Sequence, residues 1–229
     1  MPSDRIAEIG VSHVPVSYRK ELGKNAYADN IGTSRSEWIV RARTDGGLEG
    51  LTIANSYMRR DGSSVDRLVD TLREALLGQP VDGLLEIADG RAAGVGSAVR
   101  RAVDANPWMS VLAFDLAARG AGTSCVELLG GRKRDRVDAY DTTFYFQDLV
   151  ESAQGPQAVA EEVAAARADG YRQAKLKVGR GGRWMLPKPG MRRDVEVVLA
   201  VREAVGRDFT INVDANFGYD GHLDLLEEF

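Results

Sequence analysis

The stretch "RQAKLKVGRGGRW" (172–184) carries two lysines one residue apart in an otherwise apolar run. Side chains alternate along a strand. Ala174, Leu176 and Val178 therefore share one face, and Gln173, Lys175 and Lys177 share the other. A glycine-rich break follows at once. Further on, "FTINVDANFGYDG" (209–221) repeats the arrangement. There Ile211, Val213 and Ala215 form an apolar face, while Thr210, Asn212, Asp214 and Asn216 form a polar one.

The surroundings alternate strand with helix. "RVDAYDTTFYF" (136–146) reads as a strand and "PQAVAEEVAAARADG" (156–170) as a helix stopped by Gly170. "GMRRDVEVVLAVREAVG" (190–206) reads as a helix with Val195, Val198, Leu199, Val201, Arg202 and Val205 on and around one face. "HLDLLEEF" begins another. Such alternation predicts a parallel sheet with right-handed crossovers. A doubly wound sheet is covered on both faces and needs near-continuous apolar strands. These strands are polar on one face, toward their C-terminal ends, where barrel enzymes place their sites. The expectation is the start of a (β/α) TIM-type barrel over 132–229.

Residues 1–131 read as an α+β domain. "SEWIVRARTDGGLEGLTIA" (36–54) predicts a hairpin turning at Asp45-Gly46-Gly47. The polar run 17–35 reads as a long loop, functional or mobile. Ser63 or Ser64 can cap a helix carrying Leu68, Leu72 and Leu76, with Gly78 at its exit. Asn106 and Pro107 signal the start of a helix to 122. "SCVELLGG" (124–131) is a short helix closed by Gly130-Gly131.

Composition narrows the function. The 229 residues carry 30 Lys and Arg against 34 Asp and Glu, a net charge of −4. That argues against nucleic acid or an anionic membrane as partner, since phosphate neutralisation needs a basic excess. "GRKRDR" (131–136) reads as a solvated loop. No apolar run approaches the roughly 20 residues of a membrane helix, and no signal-peptide pattern opens the chain. One cysteine, Cys125, excludes an intrachain disulfide and suits a reducing compartment. The expected location is cytoplasmic. Cys125 itself reads as a small buried hydrophobe.

A Lys-x-Lys pair most often marks a solvated edge strand, and Asp-x-Asn after a strand most often a local cap. Their conjunction lowers both readings. Two cations ending one parallel strand and a carboxylate ending the next would face one volume. A carboxylate and a carboxamide suit a hard divalent cation such as Mg²⁺. A lysine beside a metal and another cation is disfavoured as ammonium and can act as a base. Together these parts suit abstraction of the proton next to a carboxylate, with a metal stabilising the enediolate. The basic loop 179–193 could also cradle an anion, though packing of Trp184 explains it more simply.

At these residues the chain resembles the enolase superfamily, in its mandelate racemase / muconate lactonizing enzyme group. "TDGGLEG" (44–50) is similar to the family's capping-domain hairpin. "VLAFDLAARGAGTSCVELLGG" (111–131) resembles the run to its domain boundary, "AKLKVG" its Lys-x-Lys strand, and "VREAVG" with "INVDAN" the approach to its first metal ligand. Where members often carry Gly-x-Gly-Glu, this chain has "GLTIAN" (50–55). The resemblance implies Lys177 as catalytic base and Lys175 as its partner, lowering its pKa and contacting the substrate carboxylate. Asp214 would be the first of three carboxylate ligands to Mg²⁺, with Asn216 near metal or substrate. Segments 17–35 and 51–60 would be specificity loops, with Tyr18 and Tyr57 as weaker candidate contacts.

The implied substrate is a small carboxylate such as an acid sugar, and the implied enzyme a homo-oligomeric lyase or isomerase. A sugar-acid dehydratase or racemase/epimerase leads. A cycloisomerase or dipeptide epimerase is the nearer rival, and a non-catalytic fragment the rival of another class. A phosphate-binding barrel would need its anion loop near strands seven and eight. Only three of eight strands are expected after residue 136. The chain is thus expected to be the N-terminal portion of a longer enzyme, inactive alone. His13 and His222 read as surface histidines rather than as a missing acid/base.

Overall fold

A computed structural model describes residues 4–54 and 65–229. Ser63, Ser64 and Tyr57, with most of segment 51–60, lie outside the described residues. The chain divides into two compact units, Met1–Val16 with Arg35–Asp135, and Ser17–Ser34 with Arg136–Phe229. Segment 17–34 thus groups with the second unit, across the division expected at 131/132.

The first unit contains the hairpin β2 (Gly32–Thr44) and β3 (Glu49–Ile53), with β1 (Ile6–Leu22) on the other side of β2. Val40 pairs with Thr52 and Arg43 with Glu49. The turn closes as expected, with Gly47 at φ +87° and its N–H donating to the Thr44 carbonyl at 3.1 Å. A second hairpin, β4 (Leu85–Ala88) and β5 (Arg91–Val95), turns at Asp89 and Gly90, both at positive φ, as a type I′ turn requires.

Helices α1 (Val65–Leu76), α2 (Ser97–Ala105), α3 (Met109–Gly120) and α4 (Cys125–Leu128) complete the unit. The first turn at Asn106-Pro107 is bonded i to i+3, Met109 N–H to the Asn106 carbonyl, so regular helix starts at Met109 rather than at 107. Ser124 caps α4 through the Glu127 N–H at 3.2 Å. Leu68, Leu72 and Leu76 are 3%, 0% and 3% exposed, and they join Val40, Leu112 and Leu116 in one core. Leu72→Ala is expected to cost about 2–5 kcal/mol, the range for buried leucine truncation, read as a lower denaturant midpoint at unchanged slope.

The second unit is a parallel sheet in the order β6 (Asp141–Phe144), β7 (Gln173–Lys177), β8 (Thr210–Asp214). Helices α5 (Pro156–Ala168) and α6 (Pro187–Val205) follow β6 and β7, and α7 (Leu223–Glu228) follows β8. Ala174 and Leu176 are fully buried against Val159, Val163, Val197 and Val201. The opposite face of β7 carries Lys175 and Lys177, half-buried. The strand at 136–146 is shorter than expected, since 131–140 is exposed irregular chain that includes the basic run.

Two further expectations are corrected. The run 17–35 is mostly strand. Tyr18, Lys20 and Leu22 are half-buried to buried while Arg19 and Glu21 are exposed, a period of two that the lysine disguises. Lys20 lies with its ammonium 4.9 Å over the Phe144 ring and pairs with Glu162 at 2.9 Å. The tip 23–31 is tied down by Phe146 N–H to the Lys24 carbonyl, 2.8 Å, and Trp184 Nε1–H to the Asn25 carbonyl, 2.7 Å. The inward face of α6 is also rotated. It comprises Gly190, Met191, Asp194, Val197, Val201 and Val205, whereas Leu199 is 62% exposed. Asp194 faces inward because the loop after β7 supplies donors to it.

Candidate active site

Strands β7 and β8 run parallel and in register, Lys175 opposite Asn212 and Lys177 opposite Asp214. Both lysines therefore end on the face that bears the Asp214 carboxylate. Each ammonium lies 2.8 Å from Asp214 Oδ2. Lys177 Nζ also donates to Asn216 Oδ1 at 3.0 Å. Asp214 Oδ1 accepts the Asn216 N–H at 3.0 Å, with Asn216 at φ +49°, a left-handed conformation that asparagine tolerates. The structure thus brings all four expected residues, Lys175, Lys177, Asp214 and Asn216, into one hydrogen-bonded group.

Burial pushes the Asp214 carboxyl up, but hydrogen bonds from Lys175 and Lys177 outweigh it and hold it well below the usual carboxylate range. The hydrogen bond to Asp214 raises Lys175 above its ordinary value, against desolvation. A depressed carboxylate contributes stability above its unfolded value, about 3.9, and loses it as pH falls toward the folded one. Asp214→Asn is therefore expected to lower stability at neutral pH. The gap to wild type should hold down to about pH 4 and close below it, as read by urea midpoints across pH.

The glycine-rich loop after β7 takes its shape from Asp194. Gly179, at φ +96°, donates its N–H to Asp194 Oδ2 at 2.7 Å, and Arg180 N–H reaches the same oxygen at 3.2 Å. The amides that could have cradled an anion are filled by the chain's own carboxylate. A Cβ on Gly218 would lie 2.4 Å from Gly179 Cα, so the loops after β7 and β8 pack backbone to backbone. Trp184 packs as expected, with the Lys24 ammonium 4.4 Å over its ring.

Sequence reasoning missed the buried group behind this loop: Asp148, Arg180, Asp194 and Tyr219. Burial, and next the Asp194 charge, push the Tyr219 hydroxyl far above its ordinary value, so it stays a donor to Asp194 Oδ2 at 2.8 Å. One signal was available. Asp194 sits three residues from both Met191 and Val197, a charge on an apolar stripe.

Tyr18 lines a cavity of about 440 Å³ with Lys20, Thr143, Phe144 and Glu162. His13 is exposed and stacks edge-on to Trp38 at 6.3 Å, and His222 is exposed before α7. The donor types beside Lys177, a carboxylate and a carboxamide oxygen, suit a hard divalent cation. Among the described residues no group of three or more His, Cys, Asp or Glu could hold a metal. Among them, too, no helix is long and apolar enough to cross a membrane.

Comparison with known proteins defines the class. A family model described as enolase C-terminal domain-like matches residues 158–227. The chain is 29% identical over 195 residues to the N-succinyl-L-Arg/Lys racemase of Bacillus cereus, covering 82% of this chain and 46% of that enzyme. It is 30% identical over 186 residues to the L-talarate/galactarate dehydratase of Salmonella typhimurium, covering 80% and 42%. A solved mutant of the galacturonate dehydratase from Geobacillus sp., complexed with Mg, is similar at 25% identity and a TM-score of 0.72, over 98% of this chain and 54% of that one. Residues 158–227 thus match the enolase superfamily's C-terminal domain, and over four fifths of its length the chain is similar to enzymes of that superfamily. Its relatives are sugar-acid dehydratases, racemases and dipeptide epimerases, isomerases and lyases of low identity to it. The chain spans about half the length of the enzymes it matches, or less.

Proposed function

We propose that this chain supplies half of an active site that removes the proton α to a carboxylate, with Lys177 as the base. The observation that supports this most is the Lys177–Asp214 contact at 2.8 Å between in-register parallel strands. The sheet β6-β7-β8 is read as the opening of a (β/α) barrel, with 132–229 in the catalytic domain and 1–131 as a capping domain. Asp214 would hold Mg²⁺, with Asn216 beside it. Bound there, the ion would supply charge stabilisation to a substrate carboxylate.

The protein's own groups account for the rest. In this structure Lys177 Nζ donates to Asp214 and Asn216. Acting as a base requires it to leave Oδ2. Two lysines that lose their shared counter-ion disfavour being charged together. Lys175 retains a cation that can meet the substrate carboxylate. Lys177 then faces the α-carbon and accepts its proton.

The substrate class follows the relatives, and an acid sugar is the leading reading. Dehydration and racemisation share this first step and diverge at a second acid/base. The test uses the full-length protein with a panel of acid sugars and dipeptides in D₂O. Deuterium should enter the α-position of an acid sugar. Exchange confined to dipeptides would move the proposal to an epimerase, and exchange with no carboxylate would end it.

A further inference from the structure

Behind the candidate site lies a second charged group that the proposed chemistry does not use. Asp148, Arg180 and Asp194 are 1%, 0% and 0% exposed. Arg180 Nε donates to the two Asp148 oxygens at 3.1 and 3.0 Å, and Arg180 Nη1 to Asp194 Oδ1 at 2.5 Å. The guanidinium lies 4.2 Å from the Phe146 ring centroid. Arg193 approaches Asp148 Oδ2 at 3.8 Å, so two carboxylates face two guanidiniums. Asp194 Oδ2 accepts the Gly179 and Arg180 amides and the Tyr219 hydroxyl.

The members come from just beyond each strand of the sheet. Asp148 follows β6, Arg180 follows β7, Tyr219 follows β8, and Asp194 lies on α6. We infer that this group sets the position of the proposed reacting groups: Asp194, Arg180 and Tyr219 are positioning residues that hold the loop after β8 against the loop after β7. The inference rests on the reading of Lys177 and Asp214 as those groups.

A buried ionic group contributes little net stability, because apolar residues of similar volume often serve as well or better. Its presence here points to geometry, since each bond joins a strand-end loop to another element. The junction it holds is also the one on which the site depends. Gly179 and Gly218 are in backbone contact there, and Arg180 Nη1 reaches the Lys177 carbonyl at 3.5 Å. Displacement of the β8 loop would carry Asn216 away from Lys177 and break its N–H bond to Asp214, at the end of β8.

The test compares Tyr219→Phe and Asp194→Asn with wild type in the full-length protein. Three quantities are read: kcat and KM for α-proton exchange, the unfolding midpoint, and amine-reagent labelling of Lys175 and Lys177 relative to exposed Lys133. Tyr219→Phe, the milder change, should fold and lose about tenfold in kcat with little change in KM. Asp194→Asn should lose roughly 100-fold. In both, labelling of Lys177 should rise several-fold while that of Lys133 does not. A lowered midpoint with wild-type kcat and wild-type labelling would make the group a stabiliser only, and overturn the inference. Should Asp194→Asn not fold, Tyr219→Phe decides alone. Should wild type exchange no carboxylate, the proposed reaction fails and labelling decides: raised Lys177 labelling upholds the positioning role, and unchanged labelling refutes it.

Discussion

Replacing Lys177 with alanine is expected to slow α-proton exchange by roughly 10²- to 10⁴-fold in the full-length protein, the usual contribution of a general base. Lys177→Arg should not rescue it, because a guanidinium keeps its proton at any working pH. The side chain is 12% exposed, and among the described residues its hydrogen-bond partners are Asp214 and Asn216. Its loss therefore removes the proposed base and leaves the apolar face of β7 intact. Lys175→Ala should differ in kind. Lys175 is the more exposed of the two, at 29%, and is held as a cation by Asp214. Its removal should raise KM more than it lowers kcat. A Lys177→Ala protein that exchanges near the wild-type rate would assign the proton to another group.

Arg180→Met is expected to cost about 3–5 kcal/mol of stability, the range for removing one partner of a buried ion pair. The change leaves Asp194 without its guanidinium and Asp148 with the more distant one of Arg193, 3.8 Å away. Adding Asp148→Leu should recover part of the loss, because one of the two carboxylates that lose Arg180 goes with it. Urea unfolding of the single and double variants measures both. A single variant within 1 kcal/mol of wild type, on the same scale, would mean that water reaches the carboxylates once the arginine is gone.

What could be read in the sequence follows from the range of each signal. The alternation in 173–178 and 210–216 has a period of two, set by neighbours in the chain, and it placed Lys175, Lys177, Asp214 and Asn216 on polar faces. Parallel pairing then brought those faces together in register. The hairpin at Asp45-Gly46-Gly47 was legible for the same local reason. The hairpin at Asp89-Gly90 carries an equally strong dipeptide, but its strands are short and Arg91, Ile87 and Glu86 are exposed. Little apolar pattern flags it.

Long-range packing was hidden. Val195, Val198 and Leu199 make several faces of α6 look apolar, and only the donors at Gly179, Arg180 and Tyr219 explain why the Asp194 side turns inward. Lys20 reads as solvent-exposed until Phe144 and Glu162 are seen to cover it. The likeness to enolase-superfamily enzymes was legible in short motifs. A substrate was not, because no local period in a sequence encodes the shape of a pocket.

The central claim is that Lys177, held beside Asp214, takes a proton from the α-carbon of a carboxylate. Proton NMR of an acid-sugar panel in D₂O, with Mg²⁺ and the full-length protein, tests it most directly. The α-proton signal should disappear with wild type and persist with Lys177→Ala and with Asp214→Asn. Signal loss at the wild-type rate in either variant would contradict it.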